Sequence, residues 1–185
     1  VLHIQTITEM LLRQLVQKEN NRYALSKEQI RMITTASALH DIGKISIPDE
    51  ILNKPGRLTA EEFAVIKGHS MAGANMLSEL PLDQKEEPLV KTAYEICRWH
   101  HERYDGGGYP EGLSGDEIPI GAQLVSLADV YDALISKRCY KPSFSYDTAY
   151  QMILDGKCGI FNPRLLRCFI KKKNELKAMA EQFKD

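Results

Sequence analysis

The sequence predicts an all-α domain, and three observations carry that reading. Apolar residues recur at three- and four-residue spacing almost throughout. Capping signals open one helix after another. No alternating apolar and polar run reaches a convincing strand length, and there is no repeat or low-complexity linker.

Ile4, Ile7, Leu11 and Leu15 share one face, so residues 2–18 read as an amphipathic helix. Ser26 with Gln29 is a capping-box pattern, opening a helix through about Asp41, where Gly43 breaks it. "SIPDEIL" then reads as a turn with one short helical turn. Thr59 with Glu62 is a second capping box, for a helix towards Leu80, and residues 84–101 form the next, ending in His100-His101. "ERYDGGGYPEGLSGDEIP" is too rich in glycine and proline for anything but loop. Helix resumes from about Gly121 to Lys137, a capped helix starts near Ser145, and a last one follows Asn162-Pro163.

The 185 residues suit one domain with a sizeable core, and 43% hydrophobic with 26% charged residues is ordinary globular composition. A net charge of −1 gives no reason to expect a long nucleic-acid groove or an anionic membrane surface. The basic run Lys171-Lys172-Lys173 reads first as a solvated helix face. No stretch has the roughly 18–20 apolar residues of a membrane span, and no secretory signal opens the chain. Cys97, Cys139, Cys158 and Cys168 form no CxxC pair, as expected of reduced thiols in a cytoplasmic protein. Helical spacing from the first residues, without a cap, is expected of a fragment of a longer multidomain polypeptide.

The five histidines concentrate the chemistry. His100 and His101 are adjacent, His40 abuts Asp41, and His3 and His69 lie on predicted helices. One histidine on a helix is usually a satisfied core residue. Five grouped this way, with Asp41 and Asp129, favour a metal site, because imidazole and carboxylate suit iron, manganese and zinc. Neighbours on a helix point about 100° apart, so His40 and Asp41 serve one site only if it lies between helices, where the aspartate could bridge two metals. Lys44 shares their face and is either a cation for an anionic substrate or a helix-end partner of Asp41. "DGGGYP", Asp105 to Pro110, is either a turn or one wall of the site. Asp129 and Asp132 are one helical turn apart, with Arg138 and Lys141 following. Those two cations suit phosphate, or are a solvated pair.

Together these residues resemble the HD-GYP family of the HD phosphohydrolase superfamily. "HDIGK" (40–44), "IPDEILNKPGRLT" (47–59), "KGH" (67–69), "HHERYDGGGYPEGLSGDEIP" (100–119), "ADVYDAL" (128–134) and "RCYK" (138–141) stand in family order along residues 1–185. The resemblance implies one HD-domain helical bundle with a long glycine-rich GYP loop. It implies two or three divalent ions, iron or manganese, and hydrolysis of the bacterial second messenger cyclic di-GMP to pGpG or GMP. By position, His3, His40, Asp41, His69, His100, His101 and Asp129 are the implied metal ligands. Asp41 and Lys44 are the implied catalytic pair. Lys44, Asp132, Arg138, Lys141 and Gly108-Tyr109-Pro110 are implied on the substrate side. The implied partners are a cyclic dinucleotide, a second copy in a homodimer, and other signalling domains met through the GYP loop.

Cys139 stands where many members have proline, and "FNP" at 161–163 where "FDP" is common. The extra glutamate of trinuclear members would precede Val1. Two other functions remain open at this level: an HD hydrolase acting on cyclic GMP-AMP, and a catalytically silent cyclic di-GMP-binding module. Metal-dependent turnover, set against binding alone, separates enzyme from module.

Overall fold

The computed structural model describes residues 1–18, 22–136 and 143–182. Its α-helices are α1 (Leu2–Lys18), α2 (Lys27–Ala36), α3 (Asp49–Leu52), α4 (Ala60–Lys67), α5 (His69–Ser78), α6 (Leu82–Lys85), α7 (Pro88–Trp99), α8 (Ile120–Ile135), α9 (Tyr146–Leu154), α10 (Pro163–Lys171) and α11 (Lys173–Gln182). Among the described residues the only β features are isolated bridges, such as Asp105 with Ser114. The all-α class is therefore as the apolar spacing predicts.

The core is a bundle. α1 packs on α2, α8 and α10, while α7 packs on α2, α5 and α8. Ile4, Ile7, Leu11 and Leu15, the predicted inner face of α1, are all buried. α8 runs through the middle, with Leu124, Val125, Leu127 and Ala128 fully buried. The caps form as their chemistry requires. Ser26 Oγ accepts from the Gln29 amide while the Gln29 side chain accepts from the Ser26 amide. Thr59 and Glu62 repeat the exchange, and Asn162 Oδ1 caps α10 by accepting from the Arg164 amide.

Three predicted helices break, two of them where a distant contact overrules local spacing and the third at a proline. The helix expected to reach Asp41 ends at Ala36 and passes into 3-10 turns at Ser37–Leu39 and Ile42–Ser46, so His40 and Asp41 sit at a bend. The helix expected over 59–80 is divided at Gly68, and the one expected over 84–101 begins anew at Pro88. The bend has a specific cause: Gly43 presses its backbone against α5. A Cβ there would lie 1.9 Å from His69 O and 2.4 Å from Gly73 N. Both contacts are backbone, so nothing flexible can yield. Ile42 is turned partly outward as a result, 37% exposed, and does not pack behind the bend as Ile33 and Ala36 do.

Gly43→Ala is therefore expected to lower the melting temperature, costing at least the roughly 1–3 kcal/mol typical of overpacking. The same displacement should loosen Asp41 from His69. A variant that melts like the wild type would show that the close approach is not needed.

Candidate metal centre

Asp41 sits at the bend between the two 3-10 turns and reaches two ways. Its Oδ1 lies 3.2 Å from His69 Nε2 and 3.9 Å from His100 Nε2, and its Oδ2 lies 3.3 Å from His40 Nε2. His40 Nε2 is also 3.9 Å from Asp129 Oδ1 on α8. His69 Nε2 approaches His100 Nε2 at 3.4 Å and His101 Nε2 at 3.2 Å. One ligand atom from each of Asp41, His69, His100 and His101 lies within 4.8 Å of the other three. An ion with bonds of about 2.0–2.2 Å holds any two ligand atoms within roughly 4.4 Å, so this group has the dimensions of one coordination shell to within a few tenths of an ångström.

The other ring nitrogens are already committed. His40 Nδ1 faces Ser37 O at 2.8 Å, His69 Nδ1 faces Ile66 O at 2.6 Å, and His100 Nδ1 faces Ile96 O at 2.9 Å. A carbonyl can only accept, so each Nδ1 donates and each Nε2 is left with its lone pair turned inward. His3 Nδ1 likewise pairs with Asp132 Oδ1 at 2.9 Å. Orienting contacts of this kind prepare histidines for metal.

Electrostatics fit a cation. Burial lowers the His100 pKa to about 3, with His40 and His69 adding to the effect. Burial, with His100 and His69 beside it, also drives His101 far down. Both imidazoles are then neutral at physiological pH. Burial opposes ionisation of Asp41 too, but contact with the His40 and His69 rings and the charge of Lys44 hold its carboxyl well below the usual carboxylate range. For His40, burial works downward, yet contact with Asp41 and the charge of Asp129 raise it overall. With Nδ1–H spent on Ser37, His40 can meet Asp41 only by carrying a second proton or through a bound cation. The Nε2 lone pairs of buried His69 and His100 converge on Asp41 Oδ1 with no donor between them, so the residues present fit a metal.

Lys44 Nζ lies 2.5 Å from Asp41 Oδ2, with its side chain 37% exposed on the open side. The helix-end pairing weighed from spacing is thus real, and the ammonium stands beside the ligand cluster. His3 and Asp132 face each other across α1 and α8, with Asp129 one turn away on α8. Arg138 and Lys141, with Cys139, lie outside the described residues.

The GYP loop covers one side. Tyr109 stacks on His101, ring centroids 4.8 Å apart and planes 18° from parallel, and burial pushes its pKa to about 12. The Tyr109-Pro110 peptide is cis. Only Gly106 of the three glycines has positive φ, at 82°. Gly108 serves close approach instead, since a Cβ there would meet Glu102 Cα, Arg103 N and His101 O at 2.4 Å.

Sequence reasoning missed what fastens this loop. Glu102 is 2% exposed, and its Oε1 accepts from the amides of Glu111 at 2.8 Å and Gly112 at 3.1 Å. Arg103 donates to Ser126 Oγ at 2.7 Å, tying the loop to α8. Adjacency to the histidine pair was the only signal for either residue. Glu102→Ala should leave two amides without their acceptor, a cost of about 1–3 kcal/mol. Hydrogen exchange at Glu111 and Gly112 should accelerate, and unchanged exchange would remove Glu102 as the fastener.

Comparison with known proteins agrees with this architecture. The HD domain model matches residues 3–164. The chain belongs to the HD domain family, and its sequence blocks are those of the HD-GYP subgroup. It is 43% identical over 161 residues to a protein of Vibrio cholerae serotype O1 named cyclic di-GMP phosphodiesterase, covering 87% of this chain and 33% of that protein. It is 37% identical over 163 residues to a 3'3'-cGAMP-specific phosphodiesterase 2 of the same organism, covering 88% of this chain and 30% of that one. Among solved structures it resembles Bd1817, an HDG"Y"P protein from Bdellovibrio bacteriovorus. There the TM-score is 0.65 and the identity 21%, with 97% of this chain and 52% of that chain covered. The chain thus spans about a third of the length of these two curated relatives. No helix among the described residues is long and apolar enough to cross a membrane.

Proposed function

We propose that residues 1–185 act as one HD-GYP domain, a metal-dependent phosphodiesterase that hydrolyses cyclic di-GMP to pGpG, GMP or both in bacterial second-messenger signalling. One observation carries the reading: the two oxygens of Asp41 turn to different donor groups, His69 and His100 on one side and His40 on the other. That is the arrangement a bridging carboxylate needs. The proposed ligands are His3, His40, Asp41, His69, His100, His101 and Asp129, holding two or three ions of iron or manganese. Such ions supply Lewis acidity and lower the pKa of water at a phosphodiester.

The protein's own groups do the rest. Ser37, Ile66 and Ile96 carbonyls fix three imidazoles, and Asp132 orients His3. Lys44 offers a cation to the phosphate as negative charge builds. Arg138 and Lys141 are proposed to hold substrate phosphate, and Tyr109 to cover His101 against water. The proposed setting is cytoplasmic, with homodimer formation and signalling partners at the GYP loop.

Protein purified without oxygen, analysed for metal and incubated with cyclic di-GMP, tests this. Turnover to pGpG or GMP that stops on chelation is expected. Binding without turnover would favour the silent module. The similarity to a cGAMP-specific enzyme supports one second reading, cyclic GMP-AMP as substrate, and a parallel incubation with that nucleotide decides between them.

A further inference from the structure

Lys67 closes α4, two residues before His69. Its ammonium lies 5.0 Å from the Phe63 ring centroid and 5.3 Å from that of Tyr109. Tyr109 in turn stacks on His101. The four side chains form a row that runs from solvent to the ligand cluster, and its outer member, Phe63, is 47% exposed. No carboxylate among the described residues pairs with the Lys67 ammonium. A lysine without an acidic neighbour ordinarily extends into water. This one is held half-buried on aromatic faces, where a cation is stabilised without its donors being used.

Its position fits one part of the proposed substrate. Tyr109 contacts both Lys67 and His101, so Lys67 lies one side chain removed from the residues that would meet the scissile phosphate. A nucleobase, carried outward on its ribose, reaches that distance. Guanine presents two adjacent acceptors, O6 and N7, to which an ammonium donates; adenine replaces O6 with an N–H donor that repels it. The exposed ring of Phe63 is a surface on which a base can stack. We propose that Lys67, clamped between Phe63 and Tyr109, reads a guanine base of the cyclic dinucleotide and sets the preference for guanine over adenine. The inference rests on the phosphodiesterase reading above.

The test compares wild type, Lys67→Ala and Lys67→Gln on cyclic di-GMP, cyclic di-AMP and bis(p-nitrophenyl) phosphate, which has no base. Metal content, melting temperature and calorimetric binding of both cyclic dinucleotides are measured alongside. Both variants should lose about 10- to 100-fold in kcat/KM for cyclic di-GMP. The loss should appear mainly in KM and be matched by weaker binding. Activity on cyclic di-AMP and on the small diester should stay within about twofold, with metal unchanged. A uniform loss on all three substrates, or undiminished guanine preference in an active enzyme, overturns the role of Lys67 alone. A wild type that cleaves the small diester but neither binds nor cleaves cyclic dinucleotides overturns the cyclic-dinucleotide reading, and this role with it.

Discussion

Asp41→Ala is expected to lose most bound metal and all detectable hydrolysis, while His69→Ala keeps part of the metal. The asymmetry follows from geometry. The Asp41 carboxylate lies against His69 and His100 through Oδ1 and against His40 and Lys44 through Oδ2, so its removal withdraws a ligand atom from both sides. His69 presents only Nε2, its Nδ1 being held by Ile66 O, and its removal leaves Asp41, His100 and His101 around the same point. Asp41→Ala should also melt lower than the wild type when both are metal-free, because a carboxylate held well below its usual range stabilises the fold in its ionised form, and its removal leaves His40 and Lys44 without their partner. Elemental analysis of both variants, with their melting temperatures, checks this. Full metal occupancy in Asp41→Ala would exclude a bridging role.

The fold was legible wherever local chemistry decides it. Capping boxes at Ser26 and Thr59 and the inner face of α1 depend on residues within a turn or two, and they form as read. The breaks at Ala36 and Gly68 were not legible. They follow from Gly43 meeting His69 O, a contact between segments 26 positions apart. Gly43 was visible as a helix breaker, but the backbone it must admit was not.

The candidate site divides in the same way. Unusual residue types in sequence clusters, His40-Asp41 and His100-His101, pointed to a metal site, and the fold groups Asp41, His69, His100 and His101, with His40 against Asp41. What positions them was hidden. Ser37, Ile66 and Ile96 act through their carbonyls, which every residue has, and no side-chain pattern distinguishes them. Glu102 looks like any surface glutamate until the loop closes over it. Asp132, read from spacing as a companion of Asp129, faces His3 from the far end of the chain.

Lys44→Ala is expected to act in opposite directions on metal and on turnover. The Lys44 ammonium neutralises Asp41 Oδ2 at 2.5 Å, so it competes with any cation for that oxygen. Without it Asp41 should take up metal at least as well as in the wild type. Were a metal to take that oxygen, the Lys44 ammonium, 37% exposed, would be available to charge on an attacked phosphate. A charge-assisted contact of that kind contributes about 1.5–3 kcal/mol, so hydrolysis should fall roughly ten- to a hundredfold. Lys44→Arg should recover part of the rate, since it restores the charge but not the compact ammonium. Metal titration and single-turnover kinetics on the three proteins separate the two effects. Parallel loss of metal and rate in Lys44→Ala would make Lys44 a support for Asp41, as the simple helix-end pairing implies. Retained metal with lost rate would place it at the substrate.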